Sequence, residues 1–373
     1  MPNPRYEYNR SKIDERIQYL TSLSAPYGLT VRYAVKANPH FEIIKMMNES
    51  GICFDASSSY EAAELLAQGV PGHKISLSSQ QSPHNLEELL EKEVQFVATS
   101  LRQLEFFLHS KHPATLGIRV NPDFGQGHNK RTSTGGVAAS FGIWHEYVPK
   151  AIEMARSSAV VIDRLHIHIG SGADPNIWGG VMGRALAVAE QCKDVTSLDI
   201  GGGYKIHRFG GEIEADMDAI MQVFSEKIRS FAAKTGRKLH LEIEPGTYFI
   251  AHAGTLVAQV DDIVDTGSNG YTFLRLNTGM NDFLRSAMYG AQHRIEIMND
   301  SPNEKEYVVV GHNCESGDIF TPEAGNPEGV EVRKLKEANM GDEVRIYDVG
   351  AYCASMRAKG YNSFPDAIEI MVE

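Results

Sequence analysis

Val31-Arg32-Tyr33-Ala34-Val35-Lys36, followed by Ala37-Asn38-Pro39, is the stretch from which the fold of this chain is read. Val31, Tyr33 and Val35 alternate with Arg32, Ala34 and Lys36, the two-residue period of a strand. Asn38-Pro39 stops that strand, because the residue before a proline is pushed away from the helical region. Lys36 therefore stands at a strand end, either as a solvated charge or as an amine in a partly buried site. In the second case desolvation favours the neutral, nucleophilic form.

Working outward, seven further strand candidates follow at residues 52–56, 74–77, 95–98, 116–120, 164–169, 198–200 and 239–244. Amphipathic stretches separate them; in 219–231, Ile220, Val223, Phe224, Ile228 and Phe231 recur at helical spacing. Eight strands alternating with helices point to a (β/α)8 barrel of the TIM type rather than an open sheet. The strand ends are polar or glycine-rich: Lys36, Asp55, Ser78, Asn121, His168-Ile169-Gly170-Ser171, Gly201-Gly202-Gly203 and Glu244-Pro245-Gly246. In a barrel these ends converge on one mouth, where chemistry is normally done. Beyond Gly254, residues 256–264, 272–276, 307–310 and 344–347 are β-rich and turn-separated, which predicts a second, mostly β domain. The expected division is a barrel over 11–254 and a β-rich domain over 255–373, joined by residues 1–10. The longest irregular stretch, 122–140, is rich in Gly, Asn and Thr, and loops of that length are often functional.

The chain has 373 residues, 42% of them hydrophobic and 23% charged, as expected of a soluble globular protein with a large core. Its net charge of −12 with no basic block argues against a nucleic-acid or anionic-membrane partner. Cys53, Cys192, Cys314 and Cys353 form no C-x-x-C pair, so neither a zinc module nor a disulfide framework is indicated. The N-terminal MPNPRYEYNR has no apolar run of a leader, and no apolar stretch is long enough to span a bilayer, so the expected location is the cytoplasm.

Gly201-Gly202-Gly203 follows the strand residues Leu198-Asp199-Ile200. Glycines let backbone N–H groups approach an oxyanion, so this is either a phosphate cradle or a flexible turn. His166 and His168 share one side of a strand by alternation. They could bind a metal as in barrel hydrolases, or be one packed ring and one ring that stacks on a planar cofactor. No further metal ligands are expected at the other strand ends, which carry Lys, Gly and Glu. Glu242 and Glu244 alternate with Leu239, Leu241 and Ile243. Glu244 at that strand end suits a general base, a metal ligand or the partner of a protonated ring nitrogen. An amine to bind an aldehyde, a phosphate cradle, a stacking ring and a carboxylate for a ring nitrogen are together what a pyridoxal 5'-phosphate site needs.

With these residues on view, the chain resembles the barrel-type pyridoxal-phosphate-dependent amino-acid decarboxylases related to alanine racemase. The motifs are Tyr-Ala-Val-Lys36-Ala-Asn, His168-Ile-Gly-Ser171, Asp-Ile-Gly-Gly-Gly-Tyr, Glu244-Pro-Gly, Cys314-Glu-Ser-Gly-Asp, Gly-Ala-Tyr352 and Tyr361-Asn, in the family's order. The resemblance implies that Lys36 binds the cofactor covalently, His168 stacks on its ring and Glu244 pairs with the ring nitrogen. It further implies that Ser171, Gly202, Gly203, Gly246 and Tyr352 hold the phosphate and that Asp55 and Arg119 line the pocket. Cys314 would donate the proton that replaces carbon dioxide, and Glu315 would contact substrate. Family members are homodimers in which the Cys-Glu segment completes the partner's site, so a homodimer with shared sites is implied.

Cys314-Glu315-Ser316, together with Met280-Asn281-Asp282-Phe283-Leu284-Arg285 and Tyr289, looks like the diaminopimelate-decarboxylating branch of the family. Arg285 can clasp a carboxylate bidentately with Tyr289 assisting, which suits a substrate with a second carboxylate. The expected reaction is decarboxylation of meso-diaminopimelate to L-lysine. The alternatives are a sister decarboxylase acting on carboxynorspermidine or ornithine, a non-catalytic homologue, and a metal-dependent hydrolase using His166 and His168. Three positions depart from the family pattern: Thr247 replaces an arginine after Glu-Pro-Gly, Ser140 a lysine, and Gly172 a glutamine. The N-terminal stretch is also short, which is expected to leave the β domain without one strand.

Overall fold

The structure, a computed structural model, describes residues 3–125 and 134–373. It divides into two units: Ile17–Ile206 with Ile213–Tyr248, and Met1–Arg16 with His207–Glu212 and Phe249–Glu373. The boundary thus lies at 248/249 rather than 254/255, and His207–Glu212 groups with the β-rich unit. At the N-terminus the division falls inside a helix. Strand β1 (Arg5–Asn9) runs directly into α1 (Arg10–Ser22), leaving no linker at which to divide them.

The first unit carries β2 (Leu29–Ala34), β3 (Cys53–Ala56), β4 (Ile75–Leu77), β5 (Gln95–Ala98), β6 (Thr115–Asn121), the two-residue β7 (Ile143–Trp144), β8 (Val161–His166), β9 (Ser197–Asp199) and β10 (His240–Ile243). All but β7 pair in parallel around a ring that β10 closes by pairing with β2, Leu241 opposite Leu29 and Ile243 opposite Val31. The eight-stranded barrel expected from the alternation of strands and helices is therefore closed. Its helices are α2 (Phe41–Glu49), α3 (Ser59–Ala67), α4 (Leu86–Glu91), α5 (Leu101–Leu108), α6 (Val148–Ser157), α7 (Pro175–Gln191) and α8 (Met217–Thr235). Ser58, Ser100, Asp174 and Asp216 cap α3, α5, α7 and α8 through side-chain oxygens that accept backbone N–H bonds. The apolar stripe of α8 buries Ile220, Phe224, Ile228 and Phe231.

Two expected strands run on too far. The strand read as 31–36 ends at Ala34, and Val35–Ala37 forms a 3-10 turn. Asn38 adopts φ −164° and ψ 113°, the extended geometry that Pro39 demands, and the Tyr33 hydroxyl donates to Asn38 O at 2.9 Å, closing the turn. The strand read as 164–169 ends at His166, so His168 lies beyond it. The loop read as 122–140 is bracketed by Asn121, whose amide donates to Gly136 O at 3.0 Å and whose Oδ1 accepts from Gly136 N–H at 2.9 Å; residues 126–133 lie outside the described residues.

Inside the barrel, the apolar layers give way to a buried ionic one. Arg32 donates through Nε to Glu242 Oε2 at 2.6 Å and through Nη2 to Gln95 Oε1 at 2.8 Å. Arg164 donates to Ser76 Oγ at 2.6 Å, lies 2.7 Å from Glu242 Oε2, and donates to Asp199. Six different strands contribute to this layer. Burial works against the Arg164 charge, but Glu242, Asp199 and Glu244 outweigh it and hold its pKa above the ordinary value.

The second unit is built on β11 (Gly254–Asp265), β12 (Thr272–Leu276), β13 (Ile295–Ile297), β14 (Glu304–Val310), the hairpin of β15 (Pro322–Glu323) and β16 (Asn326–Val330), β17 (Arg333–Lys336), β18 (Glu343–Tyr347) and β19 (Ile368–Val372). The main sheet runs β13-β18-β11-β12-β14-β17, and β1 adds to it, antiparallel to β11 and parallel to β19. The short N-terminus thus does supply a strand, which buries Tyr6 and Tyr8.

Replacing Arg164 by Met leaves Glu242 and Asp199 without their shared cation. We expect a loss of about 3–5 kcal/mol in urea unfolding; a loss below about 1 kcal/mol would mean that the ionic layer contributes little.

Candidate active site

Lys36 leaves the barrel on the turn after β2, its side chain 41% exposed. Its Nζ donates to Ser57 Oγ at 3.0 Å and lies 3.6 Å from Asp55 Oδ2. Asp55, from β3, is buried, and its Oδ1 has no hydrogen-bond partner among the described residues. Ser57 is fixed by the start of α3, where its N–H donates to Glu61 Oε2 at 2.6 Å and the Glu61 N–H donates to Ser58 Oγ at 3.1 Å. Burial raises the Glu61 pKa, a shift that the Ser57 bond opposes and Asp55 assists. The amine is thus oriented by Ser57 and Asp55 while its side chain stays exposed, and the carboxylate beside it favours the charged form rather than the desolvated, neutral one.

The glycine run is packed, not slack. Gly201 N–H donates to Asp199 Oδ1 at 2.8 Å, Gly202 N–H to His168 Nδ1 at 3.1 Å, and Gly172 N–H to Gly203 O at 3.0 Å. A methyl group on Gly202 would stand 2.0 Å from Glu244 O, and one on Gly203, where φ is +102°, 1.7 Å from Gly170 O. Three backbone segments around residues 170–172, 201–203 and 244–246 are therefore in direct contact, which brings Ser171, Gly202, Gly203 and Gly246 together. Ala34 N–H donates to Pro245 O at 3.3 Å, tying the last of these segments to the lysine-bearing turn.

Because Nδ1 of His168 accepts from Gly202, its proton sits on Nε2. Burial lowers the pKa of His168 well below its ordinary value, with Arg119 and Lys36 acting the same way, so the ring is neutral. Arg119 lies with its guanidinium 5.0 Å from the Phe141 ring; burial lowers its pKa, and Glu244, Asp55 and Asp199 oppose the shift.

His166 is 2% exposed, neither ring nitrogen is hydrogen-bonded among the described residues, and burial pushes its pKa down to about 4. Its Nε2 stands 3.3 Å from Glu244 Oε2, while Glu244 Oε1 is buried without a hydrogen-bond partner among the described residues. Burial, then Asp199, raise the Glu244 pKa well above the carboxylate range. Asp199 keeps its charge: burial opposes it, but His166, Arg164 and the hydrogen bond with Glu244 carry its pKa down. The result is a Glu244 that burial and Asp199 push toward its protonated form, one of its oxygens without a hydrogen-bond partner among the described residues.

The ligand atoms of His166, Asp199 and Glu244 all lie within 4.8 Å of one another, so a metal could be held by that set, in which Asp199 stands where sequence reading put His168. Arg164 already donates to Asp199, and Arg119 bears electrostatically on both carboxyls, which disfavours a second concentrated positive charge. The set fits a ring nitrogen better, and with Lys36 and the packed glycines the residues fit pyridoxal phosphate.

The β-rich unit holds the remaining candidates. Arg285 and Tyr289 begin and end α10 (Arg285–Tyr289), one turn apart. Cys314 is exposed, its N–H donating to Asn362 Oδ1 at 2.7 Å, and the Tyr361 hydroxyl lies 3.4 Å from Glu315 Oε2. Tyr352 is held at φ +56°, a conformation that non-glycine residues seldom adopt. Sequence reading passed over Ser57 and Glu61, and met Asp199 and Asn362 only as members of motifs, without a role of their own. Ser58 followed three residues later by Glu61 was a legible capping signal; nothing in the sequence marks Asp199 as the anion behind Glu244.

The His166 shift has a consequence for the cofactor-free protein. Between pH 6.5 and about 4 the unfolded chain binds a proton that folded His166 refuses, so stability is fully present above this window and falls as pH drops through it. The loss attributable to His166 is roughly 3 kcal/mol, and His166→Asn should remove that part of the slope in urea titrations across the window.

Residues 10–251 match the family model described as the pyridoxal binding domain of pyridoxal-dependent decarboxylases. The diaminopimelate decarboxylase of Streptomyces coelicolor is 31% identical over 99% of this chain and 84% of that protein. The enzyme of the same name from Escherichia coli K12 is 32% identical over 92% of this chain and 83% of its own. A crystal structure of a diaminopimelate decarboxylase superposes with a TM-score of 0.90 at 31% identity, covering 99% of this chain and 88% of that one. The Helicobacter pylori diaminopimelate decarboxylase complexed with L-lysine gives a TM-score of 0.88 at 25% identity, over 100% and 92% of the two chains. The chain belongs to the family of pyridoxal-dependent decarboxylases.

Proposed function

We propose that this protein decarboxylates meso-diaminopimelate at one of its two amino-acid centres, releasing carbon dioxide and leaving L-lysine. The observation that carries the reading is the barrel mouth, where the Lys36–Asp55 pair accompanies Glu244 with its vacant buried oxygen. The substrate rests on relatives of that name, similar over nearly the whole chain.

Bound pyridoxal phosphate supplies an electron-withdrawing ring that stabilises the carbanion left when carbon dioxide departs. Lys36 would hold the cofactor's aldehyde, with Asp55 and Ser57 orienting the amine. Glu244 would hold the ring nitrogen and share a proton with it, with the Asp199–Arg164 pair behind it. Neutral His168, its tautomer set by Gly202, presents a ring rather than a charge and serves as the stacking surface. Ser171, Gly202, Gly203, Gly246 and Tyr352 hold the phosphate, and Arg119 lines the pocket. Arg285 and Tyr289 clasp the second carboxylate of the substrate. Cys314 donates the proton that replaces carbon dioxide, and Glu315 contacts the substrate. In this reading the protein is a cytoplasmic homodimer in which Cys314 and Glu315 serve the partner's site.

The test is carbon dioxide release from a panel of diaminopimelate, ornithine and lysine, with the visible absorption of bound cofactor recorded alongside. Diaminopimelate should be preferred by about 100-fold or more. Lys36→Ala should lose both turnover and the visible band, and Cys314→Ala should keep the band while turnover falls about 10²–10³-fold. Release from ornithine alone would overturn the substrate; a colourless, zinc-rich protein would overturn the cofactor.

A further inference from the structure

Asn313, Cys314 and Glu315 present three successive backbone N–H groups, and all three are taken. Asn313 N–H donates to Asp318 Oδ2 at 2.9 Å, Cys314 N–H to Asn362 Oδ1 at 2.7 Å, and Glu315 N–H to Asn313 O at 2.8 Å. The first and third of these bonds close within the Cys-Glu motif itself. The second, at the cysteine, is made by a residue 48 positions further along the chain. Asp318 is buried, and its Oδ1 accepts from Met280 N–H at 2.7 Å. Asn313 Nδ2 donates to Asp318 Oδ2 at 2.8 Å and to Asn281 Oδ1 at 2.9 Å. The residue before the cysteine is therefore anchored in the β-rich unit, whereas Cys314, itself exposed, is tied by Asn362.

Residues 361–364 run along residues 312–315 in the opposite order. The Phe364 ring stacks on His312 with centroids 3.7 Å apart and planes 11° from parallel, Asn362 receives the Cys314 N–H, and the Tyr361 hydroxyl lies 3.4 Å from Glu315 Oε2. His312 Nε2 is in turn 3.0 Å from Asn281 Oδ1. Asn362 and Ser363 hold φ of +50° and +60°, a left-handed geometry that costs a residue carrying a β-carbon. Such strain persists where surrounding contacts over-determine it, and it gathers at functional sites. Here the strained turn brings the Asn362 amide oxygen to the Cys314 N–H.

We propose that Asn362 is a positioning residue for Cys314, holding the cysteine backbone so that the thiol delivers the proton that replaces carbon dioxide. This rests on the reading of Cys314 as proton donor. In that step the S–H bond breaks and a C–H bond forms, using the electron pair left on the carbon that carried the carboxylate. The thiolate then recovers a proton from water. A misplacement of about 1 Å at a reacting group can cost about 100-fold in rate, so an exposed thiol needs a tethered backbone. The tether acts on the proton transfer and not on substrate binding, so kcat rather than KM carries its effect.

Two variants separate side chain from backbone. Asn362→Gly removes the amide and keeps the left-handed turn, while Asn362→Asp keeps an acceptor oxygen in a residue that tolerates this geometry. In Asn362→Gly, kcat for diaminopimelate should fall about tenfold with KM little changed, and Asn362→Asp should recover most of that loss. In a Cys314→Ala background the same Asn362→Gly change should cost less than about twofold, because no thiol remains to be placed. Without substrate, alkylation of Cys314 at about pH 8, followed by mass spectrometry, should slow about threefold or more in Asn362→Asp, since an anion beside a thiol disfavours the thiolate. Equal losses from Asn362→Gly in the two backgrounds overturn the proposal, and so does an unchanged alkylation rate in Asn362→Asp. If Asn362→Gly does not fold, the alkylation rate in Asn362→Asp decides. Full turnover in Cys314→Ala would overturn the reading of Cys314 and the proposal with it. Failure of diaminopimelate as a substrate would overturn the substrate alone, since the same comparisons run on whichever amino acid releases carbon dioxide.

Discussion

The buried hydrogen bond between Arg164 and Asp199 is the interaction on which the barrel and its site both depend. It joins β8 to β9 inside the barrel, and through Glu242 it reaches Arg32 on β2. Each member is too buried to be left alone, so the strands carrying them must come into register for any of the charges to be tolerated. An apolar interior of the same volume could be as stable, but it would not orient a charge. Here the orientation carries upward: Asp199, held negative by Arg164 and by the Gly201 N–H, leaves Glu244 the group that keeps a proton.

A second constraint is backbone crowding at the mouth. Gly202 and Gly203 allow the segments around residues 170, 202 and 244 to touch, and that contact sets the tautomer of His168 by directing the Gly202 N–H at its Nδ1. Lys36 is handled differently, by a turn that Pro39 enforces and by Ser57 at the head of α3. One side of the mouth is therefore acidic and oriented around an amine, and the other is glycine-lined with two neutral imidazoles above a fixed anion. A planar, phosphorylated aldehyde with a basic ring nitrogen matches both halves.

The legible parts of this molecule were those with a local cause. Short apolar runs with polar or glycine-rich ends marked all eight barrel strands, and the helical stripe of 219–231 marked the core of α8. Two ends were misjudged: β2 stops at Ala34, where Val35–Ala37 turns ahead of Asn38-Pro39, and β8 stops at His166. Strand β1 was passed over because Arg5, Glu7 and Asn9 make it read as polar; Tyr6 and Tyr8 show their role only once β11 and β19 flank them.

By itself, the sequence determined the barrel, the motif residues Lys36, His168, Glu244 and the glycine run, and through them the family. Those follow from periodicity and from residue types whose chemistry is local. Only the tertiary structure decided the burial that pushes the pKa of Glu244 up and those of His166 and His168 down. Each of these depends on burial and on charges brought from distant parts of the chain, and neither can be read along a single segment. The identity of Lys36 is written in the sequence; the environment that makes it useful exists only after β2, β3 and β10 have met.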